Sequence, residues 1–476
     1  MMGGKRLRNT LLNLAALIVL AVFLIMVNRM VGADNQVKGI VKFTGALTLF
    51  AIWGVATVSL NLINGTLGIL SLGHHGFMLI GGYTTGLLIL SEQARERILH
   101  SARSTMTERT LGISVKNALA TLGLQGLTTD DTLWVRFLIA IFIGGLMAAV
   151  AGLLVGIPSL RLRGDYLAIV TFGFGEIIRL SASTRLFAPL TNGALGFPGV
   201  AQEFGKSTLW TFAFLLLTVL VMAKLKYSSY GRAMEGIRED EIAAEAMGIN
   251  LAYHKVLGFA ISAFFAGIAG GLWVSWLGGV RLDFFLFQLT FFFLVALSAG
   301  GTGSITGVLL GTALVVFVRQ YGDPLEESYA ISTWLNIFGV ALLLAAAGAL
   351  LFRITRRLRP RLHLIIYLLA GAGVLAFLLG ITSPALGVLQ DTFRGFGMRA
   401  MFLSLLLVVI MIFRPEGIVG RSEFSWAALF GERRDQPTDE ERAQDAWLAN
   451  PELARRLEES AAGGGGEVDR SASEAD

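Results

Sequence analysis

The sequence predicts an all-α fold, a polytopic bundle of about 10–12 membrane-spanning helices. Three observations point there. The chain has 476 residues, of which 54% are hydrophobic and only 15% charged. Few soluble domains carry so little charge on so much apolar surface. Apolar runs of about 18 residues or more recur, each long enough to cross a hydrocarbon core of roughly 30 Å. The short alternating segments of a membrane β-barrel are missing from the pattern.

The apolar runs place spans at 11–30, 43–63, 72–90, 133–157, 166–183, 208–226, 256–277, 286–299, 305–321, 334–352, 362–381 and 399–413. The run at 11–30 follows a basic start, Lys5, Arg6 and Arg8, in the manner of a signal peptide. It is long and has no clean small-residue cleavage site, so it reads as a retained first span. The short runs 286–299 and 305–321 flank Gly300-Gly301-Thr302-Gly303-Ser304. They form either one broken span or a tight pair around a glycine-rich turn, because irregular backbone at membrane depth must be covered by protein or line a cavity.

Basic clusters set the orientation. With twelve spans and both termini cytoplasmic, five clusters fall inside: Lys5/Arg6/Arg8, Arg161/Arg163, Lys224/Lys226/Arg232/Arg238/Lys255, Arg353/Arg356/Arg357/Arg359/Arg361 and Arg414/Arg421. The acidic turn 322–328 falls outside. One segment runs against the rule, since 91–132 lies outside yet holds Arg95, Arg97, Arg103, Arg109 and Lys116. From Arg421 the composition turns polar. Residues 421–476 read as a cytoplasmic tail, with a short amphipathic stretch followed by a glycine-rich, partly disordered end.

Composition also excludes classes. A net charge of +5 concentrated beside apolar runs is a topology signal and not a nucleic-acid footprint. The absence of cysteine removes disulfides, thiolate metal sites and thiol nucleophiles. No P-loop, H-E-x-x-H or G-x-S-x-G motif occurs, so the chain is not expected to be an enzyme or to hold a cofactor or metal of its own.

The polar stretch 227–255 stands apart. Arg238–Met247 combines helix formers, alternating charge and the small pair Ala243-Ala244, and Gly248 supplies a helix stop. It is expected to be a surface helix, with its small residues exposed so that a partner can approach closely. An ordinary solvated interfacial helix fits the periodicity equally well.

This stretch resembles the coupling loop of ABC importer permeases, with its E-A-A-x-x-x-G pattern. Ala243, Ala244 and Gly248 fall on the pattern, while Ile242 occupies the leading acidic slot and Glu241 stands one place earlier. The longer stretch 231–250 is similar to the form in branched-chain amino acid permeases of the LivM type. Four further blocks carry the same resemblance. They are 61–88, with Ser71-Leu72-Gly73-His74 and Gly82-Tyr83; 159–180, with Leu160–Gly164 and Phe174–Arg179; Gly300–Ser304 with Gly307 and Gly311; and Phe413-Arg414-Pro415-Glu416-Gly417.

The resemblance implies a transmembrane permease domain over 1–420 that translocates leucine, isoleucine and valine across the cell inner membrane. Urea or short-chain amides are the alternative cargo. An ion-coupled secondary transporter or a structural subunit without a pathway of its own are rivals of a different class. The implied partners are a second, LivH-like permease subunit, two ABC ATPase subunits that bind the ATP, an extracytoplasmic substrate-binding protein and membrane lipid. Arg232, Arg238, Glu241, Ala243, Ala244, Glu245 and Gly248 are then the candidate ATPase-coupling residues. Ser71, His74, Tyr83, Glu176, Arg179, Gly301 and Gly303 are the candidate translocation path. The chain departs from the family in its long segment 91–132 and in an additional hairpin over 334–398.

Several of these residues have a plainer reading. The glycines of 65–86 more often serve helix packing than an unwound pore segment. His74 and His75 cannot share a helix face, and are expected to be interfacial residues bonded to backbone carbonyls. Glu176 and Arg179, at i and i+3, share a face and form either a structural ion pair or a pathway element.

Overall fold

The computed structural model describes residues 38–101, 104–121, 132–159, 165–321, 328–330 and 392–394, with further positions between 404 and 423. All of them lie in one compact unit, 13–423. The second unit, 1–12 with 424–476, lies outside the described residues, as do the predicted spans at 11–30, 334–352 and 362–381.

The architecture is the predicted helical bundle. Helix α1 (Lys38–Asn61) runs through a π-turn, Leu62–Thr66, into an irregular stretch, and α2 (His74–Leu88) follows. Next come α3 (Leu133–Ser159), α4 (Asp165–Ser181), α5 (Thr208–Lys226), α6 (Ser229–Glu239), α7 (Glu241–Ala246) and α8 (Leu251–Leu277). The predicted pair at 286–321 is two helices, α9 (Phe287–Gly300) and α10 (Ile305–Tyr321), folded back on each other around the glycine turn. Among the described residues, five helical stretches are long and apolar enough to cross a membrane: Val41–Thr66, Leu133–Ile157, Thr208–Lys226, Leu251–Leu277 and Leu282–Gly300.

Helix α1 is the axis of the bundle. It is apolar on every side, as a helix enclosed by others must be, and Trp53 is fully buried in it. Two of its hydroxyls and one of its carbonyls tie it to three neighbours. Thr48 bonds Thr208 of α5 at 3.1 Å, Thr57 bonds Thr312 of α10 at 2.7 Å, and Ser262 of α8 donates to the Ser59 carbonyl at 2.7 Å. Small residues let the other helices close up. At the crossing of α2 and α8, a Cβ on Gly81 would overlap the backbone of Gly267, and Gly144 of α3 abuts Gly81 and Thr85. The glycines of α2 are therefore packing residues, the commoner of the two roles weighed for them.

Contacts along the helices give the bundle two faces. One carries the irregular stretch after α1, the α6–α7 loop and the α9–α10 turn. The opposite face carries the starts of α1 and α5, the end of α2 and the end of α10. On that opposite face, the long segment after α2 folds into the short helices Glu92–Leu99, Glu108–Leu111 and Val115–Thr121. It covers the turn at 191–199. Asn192 there is left-handed (φ 59°) and its side-chain oxygen accepts from the Thr105 N–H at 2.9 Å. Arg95, a residue that runs against the charge rule, is buried and donates to the carbonyls of Leu90 and Leu111. Burial pushes its guanidinium below the ordinary value. Strand β1 (Phe197–Pro198) pairs antiparallel with β2 (Gly279–Val280) on the same face.

Beyond α10, strand β3 (Ser328–Ala330) pairs antiparallel with β4 (Thr392–Arg394), in the register Ser328↔Arg394, Tyr329↔Phe393 and Ala330↔Thr392. The two ends of the extra segment therefore meet. Helical backbone recurs between 404 and 412, within the predicted span 399–413.

Candidate functional site

The predicted coupling helix is two helices. Asp240 breaks it, because its side chain caps the second piece by accepting from the N–H groups of Ile242 (2.8 Å) and Ala243 (3.1 Å). Short acidic side chains favour such caps over helix interiors. Arg238 consequently belongs to α6, while Glu241, Ala243, Ala244 and Glu245 belong to α7. Gly248 ends α7 at φ 82°, where the Ile249 N–H returns to the Ala244 carbonyl at 3.0 Å. That left-handed position suits glycine.

Ala244 corrects the expectation of an exposed small pair. It is 5% exposed and faces the chain's own interior, because α7 lies on α6 and α8. Ala243, Glu245 and Gly248 remain exposed. The outermost apolar groups are Ile242, 72% exposed, and Met247, 83% exposed. Neither was singled out from the sequence, although Ile242 was noted as the residue in the acidic slot of the pattern.

Two cations tie α6 and α7 to the bundle, and a third fixes the end of α5 from which they start. Lys226, the last residue of α5, donates to the Gly303 carbonyl at 2.6 Å and to Glu423 at 2.7 Å. Arg238 donates to the Gly65 carbonyl in the π-turn after α1. Lys255 of α8 reaches Glu241 at 2.6 Å. Arg232 instead folds back on its own helix start, bonding the Tyr227 carbonyl and the Ser229 hydroxyl. Lys226, Glu235, Gly236, Arg238, Glu239 and Gly303 line a polar cleft of about 330 Å³ beneath the pair.

Gly303 is the hub. Its N–H donates to Asn61 at 2.9 Å and its carbonyl takes Lys226. Gly301 and Gly303 sit at φ 117° and 89°. The segment after the last helix closes on this turn, with the N–H groups of Ile418 and Val419 donating to the carbonyls of Ala299 (2.9 Å) and Gly300 (3.1 Å). Blocks far apart in sequence thus converge on one face: 61–65, the coupling loop, 300–304 and 417–423.

The path candidates do not converge. Ser71, Gly301 and Gly303 lie toward the coupling-loop face. Ser71 belongs to the irregular stretch before α2, where its N–H donates to the Asn64 side chain at 3.1 Å. Tyr83 packs edge-on against Phe197 near the opposite face, with ring centroids 5.8 Å apart. His74 and His75 correct the interfacial expectation. Both are fully buried, and both bond hydroxyls: His74 to Ser59 at 3.0 Å and His75 to Thr290 at 3.1 Å. The chain before α2 folds under Thr171, whose hydroxyl accepts from the Leu72 N–H at 3.0 Å, so the start of α2 is covered by α4 and α9. Their rings point to different helices, as adjacent residues require.

Glu176 and Arg179 pair within α4. Arg179 Nη2 lies 2.7 Å and Nε 2.9 Å from Glu176 Oε2, while Glu176 Oε1 faces His75 Nε2 at 3.5 Å. The pair therefore bridges α4 to α2 only through His75. Each member is 19% exposed, and the neighbouring surface of α4 presents Ile169, Ile177 and Leu180 outward. Among the described residues, no three His, Asp or Glu side chains cluster to hold a metal.

Residues 43–347 match the family described as branched-chain amino acid transport system / permease component. The chain belongs to that family. Within it, the chain is similar to the high-affinity branched-chain amino acid transport permease LivM of Escherichia coli, 34% identical over 311 residues, covering 59% of this chain and 63% of that protein. It is also similar to a LivM permease protein of Methanocaldococcus jannaschii, 24% identical over 63% of this chain and 89% of that one. The fructose import permease FruF of Bifidobacterium longum is 23% identical over 50% of this chain and 71% of its own. No solved structure matches. The family places the helical bundle in a membrane as a multi-pass permease protein.

Proposed function

We propose that the chain is the transmembrane permease subunit of an ATP-binding cassette importer that carries leucine, isoleucine and valine across the inner membrane. The observation that carries this reading is the α6–α7 pair, whose apolar tip at Ile242 and Met247 is exposed while its base is tied to α1, α8 and the α9–α10 turn. An exposed tip on an anchored base is what a partner needs to move the bundle from outside it. The ATPase subunits dock on that tip and hydrolyse the ATP. A second, LivH-like permease completes the pathway, and a substrate-binding protein delivers cargo at the opposite face. On this reading the face with α6 and α7 is cytoplasmic, the permease domain spans 1–420, and residues 421–476 form a cytoplasmic tail.

The choice of cargo rests on the similarity to LivM proteins. The likeness to a fructose permease shows that related chains carry names for other cargo.

The chain is expressed with candidate ABC ATPase subunits, purified, and reconstituted with a candidate second permease and receptor. ATP-dependent leucine uptake is expected, with leucine competing better than urea, acetamide or fructose. Ile242→Asp with Met247→Asp is expected to release the ATPases while the chain remains inserted. Uptake that follows an ion gradient, or a double variant that keeps its ATPases and its transport, overturns the reading.

A further inference from the structure

Glu423 lies well beyond the residues that match the family, and nothing in its surroundings calls for a carboxylate by periodicity. Yet it meets four residues from two distant parts of the chain, Lys226 at the end of α5 and Ser304–Thr306 at the start of α10. Oε1 accepts from Lys226 Nζ at 2.7 Å and from the Ile305 N–H at 2.9 Å. Oε2 accepts from the Thr306 N–H at 3.1 Å, the Thr306 hydroxyl at 3.0 Å and the Ser304 hydroxyl at 3.3 Å. The Lys226 and Glu423 side chains are only 11% and 20% exposed. Shielded charge-assisted bonds are about twice as strong as neutral ones. The carboxylate also complements the N-terminal end of the 17-residue α10.

The position matters more than the strength. Lys226 closes α5 and stands just before Ser228, the residue that caps α6. It is the root of the α6–α7 pair. Gly303–Thr306 is the root of α10. Residues 417–420 close on the turn between α9 and α10, bonded at Ile418 and Val419.

We infer that Glu423 and Lys226 form a clamp that fixes the root of the coupling helices to the root of α10, so that displacement of α6 and α7 is passed to the α9–α10 pair. Both are positioning residues, and the inference rests on the coupling role proposed above. Packed elements joined at such points move between discrete arrangements and do not deform smoothly.

Two measurements test the clamp. The first uses the complete importer in proteoliposomes and reads substrate moved per ATP hydrolysed. Glu423→Gln keeps one acceptor oxygen for the helix end but loses the charge facing Lys226. Lys226→Met removes the cation and keeps the helix end intact. Both are expected to lower the ratio about tenfold, the loss of roughly one charged hydrogen bond, while Lys226→Arg stays near wild type. Uptake and hydrolysis that fall in step, or a ratio unchanged in both variants, overturn the clamp.

The second measurement needs no partner. Hydrogen exchange is followed on the chain alone in lipid nanodiscs. Amides of 229–239 and of 305–309 are expected to exchange faster together in both variants. Acceleration confined to 305–309 reduces Glu423 to a helix cap and overturns the proposal. A wild-type importer without ATP-dependent uptake refutes the functional reading, and the exchange result then judges the clamp by itself.

Discussion

Asn61 accepts the Gly303 N–H at 2.9 Å, across 242 positions of sequence. The last residue of α1 thereby satisfies a buried donor in the α9–α10 turn, where the backbone has no helical partner to offer. Asn61→Ala leaves that donor unpaired at a cost of about 1–3 kcal/mol. A drop in melting temperature of the purified chain is expected. Gly65→Ala is expected to act alike, because its Cβ would overlap the Asn61 side chain. An unchanged melting temperature in both refutes the hub.

The crossing of α2 and α8 leaves no room for a side chain at Gly81. Gly81→Leu is expected to abolish folded yield, whereas Gly173→Ala, with no atom within 4 Å of the new Cβ, is expected to match wild type. Fluorescence-detected size exclusion on solubilised membranes separates the two outcomes.

Glu176 and Arg179 form a partly shielded pair. Breaking a fully buried pair at one end costs about 3–5 kcal/mol, and partial exposure reduces that. Each single Ala variant is expected to lower folded yield, and the double variant to recover part of it. Singles that fold normally but fail to transport assign the pair to the pathway instead.

Burial raises the Glu423 carboxyl, but the Lys226 ammonium and the N–H groups of Ile305 and Thr306 outweigh it and hold the group below its ordinary value of 4.5. A depressed folded value stabilises the fold above the unfolded value and loses that contribution as pH falls through the folded one. The melting-temperature gap between wild type and Glu423→Gln is thus expected to be full at neutral pH and to close below about pH 4.5. A gap independent of pH refutes the charged contact.

The basic cluster Arg353/Arg356/Arg357/Arg359/Arg361, expected from the sequence to be a turn, lies outside the described residues; basic residues near a membrane surface attract anionic headgroups by about 1 kcal/mol each. We expect the cluster on the cytoplasmic side. The chain has no native cysteine, so a single Thr355→Cys reports directly. Protection from an impermeant reagent in intact cells, with reaction after permeabilisation, is the expected outcome. Labelling of intact cells overturns the orientation.

Run length and composition located the crossing helices to within a turn at most ends. Thr208–Lys226 and Ile305–Tyr321 match their predicted limits, because charge or glycine stops each run abruptly. Helix α8 begins at Leu251 and not at Val256, since Lys255 is buried against Glu241 and the helix continues past the apolar run. The break at Asp240 was missed because charge alternation there reads as one helix, whereas the capping side chain decides the local contest. The contacts Arg238–Gly65 and Lys226–Glu423 leave no periodic trace. They join residues 173 and 197 positions apart, and only the assembled bundle brings them together.

The antiparallel ladder between Ser328–Ala330 and Thr392–Arg394 has a topological consequence. A chain that leaves and returns through one paired ladder is back on the side it left. The sidedness of everything downstream is then indifferent to what evolution placed in the detour. Whatever the length of chain between the two strands, Thr392 returns to the side that Ala330 left, and Glu423 still arrives on the face where Lys226 waits for it.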